Sequence, residues 1–116
     1  MNVDFAQLEE KLNTLPGKIR DAKKEIPNKN AELEKAKLEL NVAKAEAILN
    51  SERPNATEKQ AFALTVTKEQ ALAVIEAQRQ KDTVEVEADY LGNRFIAVRK
   101  IASIEESLLK SQLRGN

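Results

Sequence analysis

The chain of 116 residues contains no cysteine, no histidine and no tryptophan, and only three glycines, three prolines and four other aromatic residues. Without cysteine there are no disulfides, thiolate metal sites or cysteine nucleophiles. Without histidine the commonest general base and the commonest metal ligand are both missing. The glycines, Gly17, Gly92 and Gly115, stand singly, so no glycine-rich phosphate loop is present. Charge of one sign is lacking as well: 19 lysines and arginines meet 19 aspartates and glutamates, and net charge argues for neither nucleic acid nor membrane. Met1 to Glu10 does not follow the basic-then-apolar pattern of a signal peptide, and no apolar run reaches the length of a membrane span. These features predict a cytoplasmic, soluble chain with no cofactor, no membrane attachment and no small-molecule substrate.

What is abundant is helical. One third of the residues are charged, and alanine, leucine, glutamate and lysine dominate, a composition typical of long helices and coiled coils. Phe5, Leu8, Leu12, Leu15, Ile19 and Ala22 recur at alternating spacings of three and four, the a/d pattern of a coiled coil, and Ile26 extends it. Pro16-Gly17 falls inside this run, which predicts a kinked N-terminal helix (1–26) split into Val3–Asn13 and Pro16–Lys24. Ile26-Pro27-Asn28-Lys29-Asn30 predicts a second break, with Asn30 capping a middle helix over 30–50. That helix carries Leu33, Ala36, Leu40, Ala43 and Ala47 on one stripe and Leu38, Val42, Ala45 and Leu49 on the next, a surface broad enough for more than one neighbour.

Asn50 to Asn55 reads as a hairpin tip. Asn55 is placed to cap a helix starting at Ala56, with Glu58 three residues on, and the capping role outweighs the formal glycosylation pattern of Asn55-Ala56-Thr57. Apolar residues then continue at helical spacing to Leu113, predicting an arm over 55–113 of roughly 58 residues, about 87 Å at 1.5 Å per residue. Within it, Asp82 to Ala88 alternates polar and apolar, so a β-hairpin turning at Gly92 is the alternative to helix over 84–100. If Gly92 is helical, it marks a flexible point or a close helix crossing. The fold expected is all-α: an elongated helical hairpin or antiparallel coiled coil in a single helical domain.

The middle helix is too short to cover the arm beyond Val84. A second copy, as a dimer, or another protein is expected to lie there, with Leu91, Phe95, Val98 and Ala102 as the partner-binding residues. Basic residues gather in the same region: Arg94, Arg99, Lys100 and Lys110 are candidate nucleic-acid contacts, and Lys18, Arg20, Lys23 and Lys24 form a second cluster. An acidic block, Asp82, Glu85, Glu87 and Asp89, precedes the C-terminal basic one, a succession that suits two copies pairing antiparallel. Phe5, Phe62 and Phe95 are expected in the core and Tyr90 at its rim. Paired carboxylates such as Glu85 with Asp89 fit a solvated face better than acid-base catalysis, so the chain does not read as an enzyme.

Asn55-Ala56-Thr57-Glu58-Lys59-Gln60-Ala61-Phe62-Ala63-Leu64 resembles the capped helix start of a family of small α-helical accessory proteins of tailed phages and prophages. Arg94-Phe95-Ile96-Ala97-Val98-Arg99-Lys100-Ile101-Ala102-Ser103 is similar to that family's closing helix, although this chain lacks the tryptophan found near its arginine. The likeness covers about residues 30–104. It implies a cytoplasmic, all-helical accessory protein, in some phages found beside DNA-recombination functions, with no assigned catalysis. The function expected is a non-enzymatic helical interaction protein that self-associates and binds a protein partner; the alternative is a nucleic-acid-associated accessory factor.

Overall fold

The computed structural model describes residues 4–114 and contains three helices and, among those residues, no strand: α1 (Phe5–Asn50), α2 (Ala56–Val66) and α3 (Lys68–Arg114). The all-α hairpin expectation is met. The expected helix start at Val3 lies outside the described residues.

The helix breaks fall elsewhere than expected. α1 runs for 46 residues through Pro16 and Pro27, and Asn30 lies in its interior instead of capping a new helix. Each proline removes one backbone donor, at a cost of about 3 kcal/mol in a helix interior. Both rings lie on the exposed side, where water can reach the carbonyls four residues earlier, while the opposite side buries Leu15 and Leu33 to 2% and 1% exposure. Burying one such leucine contributes about 1.5–3 kcal/mol, so side-chain packing on both sides of the prolines offsets their cost.

The arm expected over 55–113 is interrupted once, at Thr67, between α2 and α3. The Thr67 hydroxyl donates to the carbonyl of Ala63 at 2.6 Å, and the Thr67 amide donates to the same oxygen at 3.1 Å. A threonine that bonds back to the preceding turn competes with the helical ladder. With φ −106° and ψ 19°, Thr67 leaves the helical region for one residue. Beyond it α3 is unbroken through Gly92, and the β-hairpin alternative over 84–100 is overturned.

The start of α2 is as expected. Asn55 is extended, φ −139° and ψ 166°, and its side chain accepts from the Glu58 amide at 2.9 Å. Such a cap satisfies one of the four free amides at a helix start, worth about 1 kcal/mol.

Two compact units divide the chain: Met1–Lys24 with Glu85–Asn116, and Glu25–Val84. In the first, Leu8 and Leu15 of α1 are buried with Leu91 and Val98 of α3, and Leu12, Ile19, Ala22, Phe95 and Ile101 pack against them. In the second, Leu33, Ala63 and Thr67 are buried, and the Lys29 ammonium donates to Gln80 Oε1 at 3.3 Å. The connection at 51–55 joins α1 to α2, and the Lys29–Gln80 contact sets α1 beside α3 in this unit.

Candidate interaction surface

The first unit decides where the residues singled out in the sequence go. Because α1 does not stop at Pro27, its N-terminal part supplies the cover that the distal arm was expected to lack. Leu91 and Val98, read as partner-binding, are buried against Leu8 and Leu15 of the same chain; Phe95 packs on that cluster and Ala102 is half-buried. These four form the inner face of α3. What covers Leu91, Phe95 and Val98 is the N-terminal part of α1 in the same chain.

The basic residues point outward. Arg94, Arg99, Lys100 and Lys110 are all exposed. Lys110 pairs with Glu106 at 3.1 Å, one turn earlier, and the Arg99 guanidinium sits 5.7 Å from the centre of the Phe95 ring. Ile96, Arg99, Lys100 and Ser103 line a shallow open depression. In the N-terminal cluster Lys18, Arg20, Lys23 and Lys24 are exposed as well, with Arg20 3.9 Å from Asp21.

Among the aromatics, Tyr90 is exposed and is not among the residues packed on the buried cluster, and Phe95 and Phe62 are half-buried. Phe5 is not a core anchor: it opens α1 and is 51% exposed. The first helical residue has no earlier turn to pack on, and the buried cluster begins with Leu8. Gly92 is not a close crossing either, since a Cβ built there meets nothing within 4 Å.

In the second unit the inner stripe of α1 behaves as its sequence suggests: Leu33 is buried and Ala36, Leu40, Ala43 and Ala47 are half-buried. The adjacent stripe, Leu38, Val42, Ala45 and Leu49, is exposed, as are Leu64 and Val66 of α2 and Leu72 and Ile75 of α3. At the connection the Arg53 guanidinium lies 5.5 Å from the centre of the Phe62 ring, and Asn50 to Pro54 with Phe62 enclose an open depression. Local ion pairs cover the polar side: Lys29 with Glu32 at 3.3 Å, Lys37 with Glu34 at 3.4 Å and Lys35 with Glu39 at 3.9 Å.

One pair is shorter and better aligned. Arg79 donates through Nε to Glu76 Oε2 at 2.9 Å and through Nη2 to Oε1 at 2.6 Å, and Gln80 adds a bond to Oε1 at 3.1 Å. Hydrogen bonding from Arg79, followed by that from Gln80, holds the Glu76 carboxyl down at about 2. The pair was missed in the sequence, although the spacing of three between Glu76 and Arg79 is the signal that could have found it.

Apolar columns and solvated charges on outer helix faces can bind another helix or a charged polymer. Among the described residues no three acidic side chains gather as a metal site would require, and no helix is long and apolar enough to cross a membrane. No family model matches the chain, and no curated protein or solved structure was found similar to it.

Proposed function

We propose that the protein is a non-enzymatic helical interaction protein that associates with itself and with a protein partner through its outer helix faces. The observation that carries this reading is the balance of apolar surface: among the described residues more large apolar side chains are exposed than are buried. Single exposed leucines are ordinary, but here they align at helical spacing, as Leu38, Val42 and Leu49 do. Aligned apolar columns on helices are the contact surface of helix-in-groove and coiled-coil complexes. The resemblance to phage accessory proteins agrees with such a role and with a place in the cytoplasm. Cross-linking of the chain through its exposed lysines in the native cell, read by mass spectrometry, tests it. Cross-links between Lys35, Lys37 or Lys44 and another polypeptide are expected; a chain cross-linked only within itself overturns the reading.

A second reading, a nucleic-acid-associated accessory factor, is favoured by one observation: Arg94, Arg99 and Lys100 are exposed and make no ion pair among the described residues. A gel shift at low salt decides it. Retardation that weakens with salt and vanishes when all three become alanine supports phosphate contact, and none at micromolar protein removes it.

A further inference from the structure

Opposite the buried cluster of the first unit, α3 carries a second apolar column. Val86, Tyr90, Ile96 and Ile104 are 68%, 60%, 52% and 58% exposed, and Ala97 between them is exposed too. None belongs to the core that holds Leu91 and Val98. Asn93 is exposed and stands at the middle of the column, with Tyr90 and Ile96 three residues to either side and Val86 and Lys100 seven to either side.

The charges along this column divide at Asn93. Glu87 and Asp89 precede it, Arg94 and Lys100 follow, and all four are exposed. Asp89 and Lys100 are eleven residues apart, about three turns, so they share one edge of the column. Glu87 and Arg94 are seven apart, about two turns, and share the other edge. When two identical helices pack antiparallel about a two-fold axis, each edge meets the same edge of its mate, running the opposite way. The acidic half of each copy then lies against the basic half of the other: about an axis at Asn93, Asp89 stands about 4.5 Å along the helix from the other copy's Lys100 and Glu87 about 7.5 Å from its Arg94, offsets that these long side chains span. Tyr90 lies against Ile96, and Val86 lies on the aliphatic stem of Lys100. A parallel pairing in register sets acid against acid and base against base.

We propose that this outer face of α3, from Val86 to Ile104, docks a second copy of the chain antiparallel, with the two-fold axis passing at Asn93. A polar asparagine within an otherwise apolar seam fixes register at some expense of stability, which suits the centre of such a contact. Glu87 and Asp89 on the same face disfavour a polyanion as its occupant. The proposal rests on the interaction reading above and narrows it to one face and one partner.

The chain's lack of cysteine makes the test direct. Asn93→Cys places one thiol at the axis, and mild oxidation is expected to link two copies into a covalent dimer with unchanged helical circular dichroism. Val42→Cys, on α1 in the other unit, is expected to stay uncross-linked under the same conditions. Sedimentation equilibrium of the unmodified chain is expected to give twice the chain mass at tens of micromolar. Asp89→Lys should raise the dissociation constant at least tenfold, and Asp89→Lys with Lys100→Asp should recover most of the loss. A mass of one chain at 100 micromolar overturns the proposal, as does a dimer that cross-links through Val42→Cys and not through Asn93→Cys. A single-chain mass combined with cross-links to a different protein in the cell leaves the broader interaction reading standing, whereas the absence of both removes the two together.

Discussion

The Thr67 hydroxyl and the Ala63 carbonyl, 2.6 Å apart, mark the one place among the described residues beyond Asn55 where the helix is interrupted. The hydroxyl shares its acceptor with the residue's own amide, so the turn at 67 is held from two sides. Thr67→Ala removes the hydroxyl and keeps the amide bond. Amides of Lys68 to Gln70 are expected to exchange more slowly in the variant as α2 and α3 merge. Unchanged exchange would show that the hydroxyl is not what breaks the helix.

Gly92 sits in mid-helix with open space where a Cβ would go. Replacing such a glycine by alanine removes backbone freedom from the unfolded chain and improves helix propensity, by about 0.5–1 kcal/mol. Gly92→Ala is therefore expected to raise the urea midpoint. A fall would mean that the glycine serves a strained or closely packed conformation after all.

Leu15 and Leu33 are the most deeply buried large side chains, one in each unit. Truncation of a buried leucine to alanine costs about 2–5 kcal/mol, and of an exposed one within about 0.5 kcal/mol. Hydrogen exchange resolved along the chain should show Leu15→Ala loosening mainly the unit with Leu91 and Val98, and Leu33→Ala mainly the other. Leu38→Ala, on the exposed stripe, should leave both unchanged.

Glu76 is held at about 2 by Arg79 and Gln80, below the ordinary 4.5. Because the folded value is depressed, whatever stability the pair contributes is present above pH 4.5 and is lost as pH falls toward 2. The pair is fully exposed, and exposed ion pairs contribute little. A carbon-detected NMR titration should place the Glu76 midpoint near 2, and Arg79→Ala should return it toward the ordinary range with hardly any change in melting temperature. A midpoint that ignores Arg79→Ala would remove the pairing as its cause.

Much of the fold can be read from residue spacing. The inner stripe from Leu8 to Ala22, the stripe from Leu33 to Ala47, the Asn55 cap and the end of α1 at Asn50 all fall where periodicity and capping place them. Pro16 and Pro27 do not follow, for one reason. A proline's local cost is visible in sequence, but the burial on the opposite side of its helix that offsets this cost depends on which segment lies across from it. Read as a helix end, Pro27 left the distal arm bare and made Leu91 and Val98 look like partner contacts. Their apolar pattern was legible, whereas the identity of the covering helix was not.

The same reading makes Pro27→Ala informative. It supplies an amide that can donate to the Lys23 carbonyl within α1, while freeing the unfolded chain that proline restricts. Thermal denaturation should show a net gain of about 1–2 kcal/mol. A loss would show that the helix is built around the proline.

The core formed by Leu8, Leu15, Leu91 and Val98 joins segments from near the two ends of the sequence. During synthesis at about 5–20 residues per second, Leu15 leaves the ribosome several seconds before Leu91 can follow. For that interval the N-terminal part of α1 presents a bare apolar stripe to the cell. Whatever meets it first, a chaperone or the same stripe on a neighbouring nascent chain, competes with α3 for the seat that α3 finally takes.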